Sequence, residues 1–173
     1  MTRERERGTL ENLLATPVRP LEMMAGKILP YVLIGYVQVL LVFAAARLLF
    51  GVPMLGSFVL LSAMVLLFIV ATLSVGFAFS TIARSQMQSM QMTLFYFLPN
   101  ILLSGFMFPF RGMPGWAQAL GELLPLTHFL RIVRAIMPKG ATLSELLPEA
   151  AAIAAFVVVM GMVAMKRYRQ TID

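Results

Sequence analysis

The sequence predicts an all-α, polytopic membrane protein. It should contain four transmembrane helices, an N-terminal amphipathic segment and a re-entrant or interfacial pair of short helices. Of its 173 residues, 60% are hydrophobic and only 13% are charged. Soluble domains are about 45–50% apolar and about 25% charged, so this chain has too few charges to cover a soluble surface. Its mean hydropathy of +0.85 supports the same class.

Four uncharged runs locate the predicted membrane helices. They cover residues 28–46, 48–83, 85–110 and 150–165. A helix needs about 20 apolar residues to cross the hydrocarbon core. Gly51, Pro53 and Gly56 break the longest run, because glycine and proline interrupt helices. We therefore predict spans of about 28–50, 57–82, 88–108 and 147–165, within a membrane domain of residues 28–173 that follows a cytoplasmic segment of residues 1–27.

The basic residues predict how the chain is oriented. Eight lysines and arginines flank the predicted bundle at its two ends and Arg84 lies in a short loop, whereas Arg47 is alone on the other side of the first hairpin. Basic residues favour the cytoplasmic side. We expect a multi-pass protein of the cell (inner) membrane with both termini cytoplasmic. The same distribution argues against a nucleic-acid-binding face, despite a net charge of +6.

The stretch 111–146 contains six charged residues and should not cross the membrane as one helix. Apolar residues recur at helical spacing in two pieces separated by Pro125. Thr127 is a plausible N-cap of the second piece, and Pro138 with Gly140 should end it. Each piece has about ten residues, half a hydrocarbon thickness. We therefore predict a re-entrant or interfacial helix pair at about 116–137.

Catalysis within this chain is not expected. His128 is the only histidine, and no cysteine is present. Only Glu149, near one end of the last span, places a carboxylate inside a predicted span. These residues offer no nucleophile–base pair, carboxylate dyad or zinc-ligand set. We expect no catalytic residue, no metal site and no cofactor.

Two polar patterns each allow two interpretations. His128, Arg131 and Arg134 recur every three residues. They either contact an anionic substrate or lipid phosphate, or form the solvated face of an interfacial helix, which is the favoured interpretation. The Gln-, Ser- and Thr-rich residues 85–93 either line a water-filled path or hydrogen-bond to a neighbouring helix.

The N-terminal segment carries a short amphipathic pattern and a specific resemblance. Leu10, Leu13 and Leu14 follow Thr9, a reasonable helix N-cap. The whole of 4–17, ERERGTLENLLATP, followed by the Gly-Lys pair at 26–27, resembles the cytoplasmic loop of type-2 ATP-binding-cassette (ABC) exporter permeases. Residues 103–109, 113–116 and 124–131 resemble, in order, the fifth helix and re-entrant segment of that family.

The resemblance implies a transport subunit that couples to a separate ATPase. Residues 4–16 would include a coupling helix that docks on the ABC ATPase subunit, which would carry ATP hydrolysis. The matching coupling positions are Glu6, Gly8, Thr9, Leu10, Glu11, Leu13, Leu14, Thr16 and Pro17. The re-entrant positions within the resembling stretch are Pro125, Thr127, His128 and Arg131, and Arg134 of the same predicted helix joins them through its spacing. A Walker A motif is not expected to supply ATP binding here, because the Gly-Lys pair lacks the motif's other residues.

The implied partners are a second permease copy or paralogue, the lipid bilayer and a hydrophobic or amphipathic small-molecule substrate, with no nucleic acid. Family members have two more membrane helices upstream. We therefore expect a C-terminal portion: a fragment, a misassigned start, or a chain that pairs with a separate N-terminal half. The alternative function is a small self-contained channel or pore, which would leave the Glu-rich segment before the first span unexplained.

Overall fold

A computed structural model describes the backbone of residues 20–169 and the side chains of residues 28–166. Within that part of the chain every regular element is helical, which confirms the all-α prediction. The elements in order are α1 (Pro20–Phe50), α2 (Phe58–Ile82), α3 (Gln86–Leu103), a 3-10 turn (Phe110–Gly112), α4 (Gly115–Gly121), α5 (Pro125–Lys139) and α6 (Leu143–Arg169). The predicted coupling segment at residues 4–17 lies outside the described residues.

Three of the described helices are long and apolar enough to cross a membrane: Ile28–Phe50, Phe58–Ile82 and Leu143–Lys166. They coincide with the first, second and fourth predicted spans. The third predicted span, 88–108, corresponds to α3, which has 18 residues. Three glutamines and Asn100 lower the hydropathy of α3. The helix also ends earlier than predicted, because the chain turns at Gly105, whose φ is +84°.

Helix α2 lies at the centre of the described fold and contacts α1, α3, α5 and α6. Its buried residues recur every three or four positions, so a single stripe faces the other helices. The shared core comprises Leu61, Met64, Ala71, Ile132, Ile136, Leu146 and Ile153. By contrast, none of the described side chains of α1 is buried. α1 therefore packs along one edge of the bundle.

The loop between α1 and α2 is joined to the end of α5. Ser57 caps α2, with its Oγ accepting a hydrogen bond from the Leu60 N–H. The Leu55 N–H donates to the Met137 carbonyl oxygen at 2.9 Å. At Gly56, a Cβ atom would lie 2.5 Å from the Ile136 carbonyl oxygen. Glycine is therefore required for the loop to approach α5 this closely.

Helix α5 differs from the sequence prediction at its start. Pro125 occupies the first turn, where its fixed φ suits a helix and its missing N–H costs nothing. Thr127 is therefore inside the helix, and its prediction as the N-cap is wrong. The predicted end is confirmed, since Gly140 caps α5 in the left-handed conformation with φ +69°. The helix has 15 residues, more than the ten expected.

Helix α4 is a short helix that directly precedes α5 in the chain. At Gly121, which ends α4, a Cβ atom would lie 2.5 Å from the Leu103 carbonyl oxygen. The absence of a side chain at Gly121 therefore allows the end of α4 to contact the end of α3 directly. Trp116 and Leu120 of α4, and Leu123 in the turn that follows it, are exposed at 67%, 48% and 69%. α4 and α5 span only about 10 Å and 22 Å at 1.5 Å per residue, less than a hydrocarbon core of about 30 Å.

Candidate functional site

The polar stripe of α5 runs from a buried residue to an exposed one. His128 is 9% exposed, and the Arg131 side chain is about one-third exposed. The favoured prediction of a solvated helix face is therefore wrong for His128. Both side chains contact carboxylates of this chain, and contact with an anionic substrate or lipid phosphate stays a prediction. Only Arg134 of the three is an exposed residue.

His128 links α5 to α6 and to the turn after α4. Its Nδ1 makes a short contact with the Glu149 carboxylate. Its Nε2 lies 2.9 Å from the Glu122 backbone oxygen. Both ring nitrogens therefore face acceptors, whereas a neutral imidazole can donate from only one of them.

Arg131 joins the same two glutamates through its guanidinium. It forms a bidentate pair with Glu122, in which Nη1 donates to Oε2 at 2.9 Å and Nη2 donates to Oε1. The same Nη1 lies 3.4 Å from Glu149 Oε1. The guanidinium also stacks over the Phe110 ring, with Cζ 4.8 Å from the ring centroid. We refer to Glu122, His128, Arg131 and Glu149 as the polar cluster.

The electrostatics of the polar cluster favour the ionised form of Glu122. The hydrogen bonds from Arg131 lower the pKa of the Glu122 carboxyl, and partial burial opposes this shift only in part. The Glu122 pair raises the pKa of Arg131, so the guanidinium stays charged. Bidentate geometry adds directional specificity to the attraction. The polar cluster therefore fixes the angle between α5 and α6 and the position of the turn at residue 122.

Two further side chains of α5 cap the ends of earlier helices. Thr127 Oγ1 donates to the Gly121 carbonyl oxygen at 2.6 Å. Arg134 Nη2 donates to the Gly105 carbonyl oxygen at 3.0 Å. Carbonyl groups at helix ends have no partner within their own helix. α5 therefore supplies donors to the chain segments that leave both α3 and α4.

These contacts suit a structural latch better than a reactive site. Both carboxylates of the polar cluster accept from Arg131 through its two terminal nitrogens. In the part of the chain that the structure describes, no group of three or more His, Cys, Asp and Glu residues could hold a metal ion. The five predicted re-entrant positions are brought together on α5. Its first turn contains buried Pro125 and Thr127.

The sequence analysis missed the acidic half of the polar cluster. Glu122 and Glu149 lie six and 21 residues from His128. The sequence contained a signal for Glu149, because a single carboxylate in an otherwise apolar predicted span requires a partner inside the protein. The sequence offered no comparable signal for Glu122, which lies in a turn.

The polar residues at the start of α3 make local hydrogen bonds. Gln88 Oε1 accepts from the Arg84 N–H at 2.8 Å, and Thr93 Oγ1 donates to the Ser89 carbonyl oxygen at 2.9 Å. Ser85 caps the helix by accepting from the Gln88 N–H. These contacts stabilise the first turns of α3 and do not reach another helix. Both interpretations of this face, a water-filled path and hydrogen bonds to a neighbouring helix, stay predictions.

Comparison with known proteins assigns the family. A model of the ABC-2 type transporter family matches residues 1–137. The chain is 36% identical over 141 residues to "Probable multidrug ABC transporter permease YbhS" of Escherichia coli, covering 81% of this chain and 37% of that protein. It is 35% identical over 177 residues to "Inner membrane transport permease YhhJ" of the same organism, covering 99% and 46%.

A more distant relative is "Linearmycin resistance permease protein LnrN" of Bacillus subtilis, 23% identical over 165 residues, covering 95% of this chain and 43% of that protein. No solved structure matches the chain significantly. The chain spans less than half the length of these curated relatives. Matches over most of the chain, on an all-helical fold with membrane-length apolar helices, lead to one assignment: the chain belongs to the ABC-2 type transporter family, whose members are membrane permeases.

Proposed function

We propose that this chain is the C-terminal portion of a transmembrane permease that works with a separate ATPase subunit to export a hydrophobic or amphipathic molecule. The observation that carries the proposal is the family match over residues 1–137, which includes the coupling-like segment at 4–17. The relatives' names refer to multidrug transport and linearmycin resistance, which supports export of small amphipathic compounds. The chain itself would be non-catalytic, with ATP hydrolysis on the partner.

The proposed assembly contains two permeases, identical or paralogous, and their ATPases in the cell (inner) membrane. In this topology α3 is the third of four spans in the chain, both termini are cytoplasmic, and residues 116–137 form the re-entrant segment on the outer side. The polar cluster would hold that segment to α6 during the transport cycle. This role is supported by its position at the junction of α5, α6 and the turn at residue 122.

The coupling segment is proposed to dock on the ATPase through an apolar face and an acidic face. Leu10, Leu13 and Leu14 would provide the apolar contact, and Glu6 or Glu11 would face basic groups. A helix of about two turns is marginal in water, so a partner surface would stabilise it. Closure of the ATPases would then push on the start of α1, which leads into the bundle through α2.

Reversing one charge in the coupling segment tests the proposal. In the complete transporter, we expect Glu11→Lys to leave expression and membrane insertion unchanged. It should weaken ATPase association and lower transport, because losing a charge pair at an interface costs about 2–5 kcal/mol. Co-purification of the ATPase and export of a fluorescent drug measure the two effects.

Glu145→Lys provides the matched control, because Glu145 is an exposed residue in the first turn of α6. It should leave ATPase association unchanged. Wild-type association and transport in Glu11→Lys would contradict the coupling role and would favour a self-contained pore.

A further inference from the structure

An open apolar groove lies where the end of α1, the loop at 51–57 and the end of α5 meet. Its volume is about 190 Å³. Leu40, Phe43, Val52 and Met137 are among the apolar side chains that line it, and Arg47 is its one charged lining residue. The groove therefore combines a hydrocarbon-like floor with a single cation at its edge.

Arg47 lies near the end of the first candidate span. It lies three residues before Phe50, the end of the first candidate span. It is exposed, and no carboxylate among the described side chains lies within ion-pair distance of it. A cation in the last turn of a helix is favoured by the helix dipole. That effect explains a basic residue at this position but not the apolar groove beside it.

The size of the groove suits a short stretch of hydrocarbon. An apolar cavity of about 150 Å³ is large enough to admit benzene. The volume here is slightly larger, and the groove is open at the surface of the described bundle, so a chain can enter from the side. Because the chain would leave one hydrocarbon environment for another, van der Waals packing in the groove, and not the hydrophobic effect, would hold it there.

We propose that this groove binds one anionic phospholipid. The guanidinium of Arg47 donates hydrogen bonds to the lipid phosphate, and the adjoining part of one acyl chain lies against Phe43 and Ala44. Charge complementarity selects this occupant. Arg47 has no described acidic partner, and the phosphate of an anionic lipid, unlike that of phosphatidylcholine, has no cationic group in its own headgroup to offset its charge. Arginine also matches phosphate geometry better than a point charge does. The site is independent of ATP coupling and therefore goes beyond the proposed transport function.

A lipid bound in this way would extend the core at its weakest edge. α1 has no buried side chain among its described residues, whereas Met137 belongs to α5 and lines the same groove. One acyl chain would therefore bridge α1 to the loop and to α5.

Native mass spectrometry of the full chain, with the subunits that co-purify, tests the proposal. Phosphatidylglycerol and phosphatidylcholine are titrated separately. We expect one saturable phosphatidylglycerol site per chain. Arg47→Gln should weaken phosphatidylglycerol binding about tenfold, because a charge-assisted hydrogen bond is lost. Ala44→Phe keeps the charge but fills the groove, and it should weaken binding by a similar factor.

Arg111→Gln is the matched control, because Arg111 is also exposed but does not line the groove. It should bind phosphatidylglycerol like the wild type. Equal weakening by Arg111→Gln would indicate general attraction to the basic surface and would overturn the proposal. Unchanged binding in either Arg47→Gln or Ala44→Phe would also overturn it.

A photoreactive phosphatidylglycerol with a diazirine on one acyl chain tests the unmodified protein. Adducts are expected on residues 40–44 and on Met137. Adducts confined to other helices would overturn the proposal. An absence of adducts in the groove because another protein segment covers it would also overturn the proposal.

Discussion

Neutralising Glu149 should destabilise the protein, because this carboxylate joins α6 to α5. It accepts from His128 and lies 3.4 Å from Arg131 Nη1. Glu149→Gln keeps the shape of the side chain but removes its charge. A hydrogen bond to a charged group contributes about 1.5–3 kcal/mol. The side chain is 25% exposed, which places the expected loss in free energy of unfolding at about 2 kcal/mol.

Thermal unfolding of the purified protein in detergent measures this loss. For a chain of this size, 1 kcal/mol corresponds to about 2–4 °C, so we expect the melting temperature to fall by about 4–8 °C. Glu145→Gln is the control. It removes the same charge one helical turn earlier, where the residue is exposed and its side chain has no described partner. Such surface changes usually stay within about 0.5 kcal/mol.

Two results would refute this reasoning. A melting temperature for Glu149→Gln within 1 °C of the wild type would mean that the polar cluster contributes no net stability. An equal fall in Glu145→Gln would assign the effect to the charge of the α6 N-terminus instead of to the contacts of Glu149.

Three further predictions follow from the described contacts. Gly121→Ala should lower the free energy of unfolding by about 1–3 kcal/mol, because the new Cβ atom would overlap the Leu103 carbonyl oxygen. Gly115→Ala is the control, since a Cβ atom there meets nothing within 4 Å and should be neutral or stabilising. The melting temperatures of the two variants test this difference. Arg131 lowers the pKa of Glu122 in the folded state, so the stabilisation is present above about pH 4.5 and is lost as pH falls further. The wild type should therefore lose its advantage over Glu122→Gln in acid unfolding scans as the pH falls below about 4.5. In this cysteine-free chain, an impermeant thiol reagent should label Thr142→Cys from outside and should label Gln170→Cys only after permeabilisation; external labelling of the latter would contradict the four-span topology.

The helix pattern could be predicted from the sequence because it depends on local features. The helix-breaking glycines and proline at 51–56 predicted that the second span starts at 57, one residue from the observed start of α2. Gly140 marked the end of α5 for the same reason, since its left-handed conformation suits glycine. The predicted start of α5 was wrong because two local signals, Pro125 and Thr127, each indicated a different first residue for the helix. Proline in the first turn determined the start of the helix, and the threonine was left to bond another segment.

The partners of the α5 stripe could not be predicted because they depend on tertiary packing. Spacing of three residues places His128 and Arg131 on one helix face, but periodicity does not identify which segment that face meets. Glu122 and Glu149 come from a turn and from a different helix. An interfacial helix and a buried helix with acidic partners have the same one-dimensional pattern, so only the fold distinguishes them.

The junction between the α1–α2 loop and the end of α5 has a mechanical consequence. A translation of α5 by one residue along its axis, about 1.5 Å, would break the Leu55–Met137 hydrogen bond. It would also disrupt the close contact between Gly56 and Ile136. At the other end, the polar cluster resists rotation of α5 against α6. Both ends of α5 are therefore held, one by the α1–α2 loop and the other by α6 and the turn at residue 122. We expect any movement of α5 to carry the α1–α2 loop and the start of α6 with it.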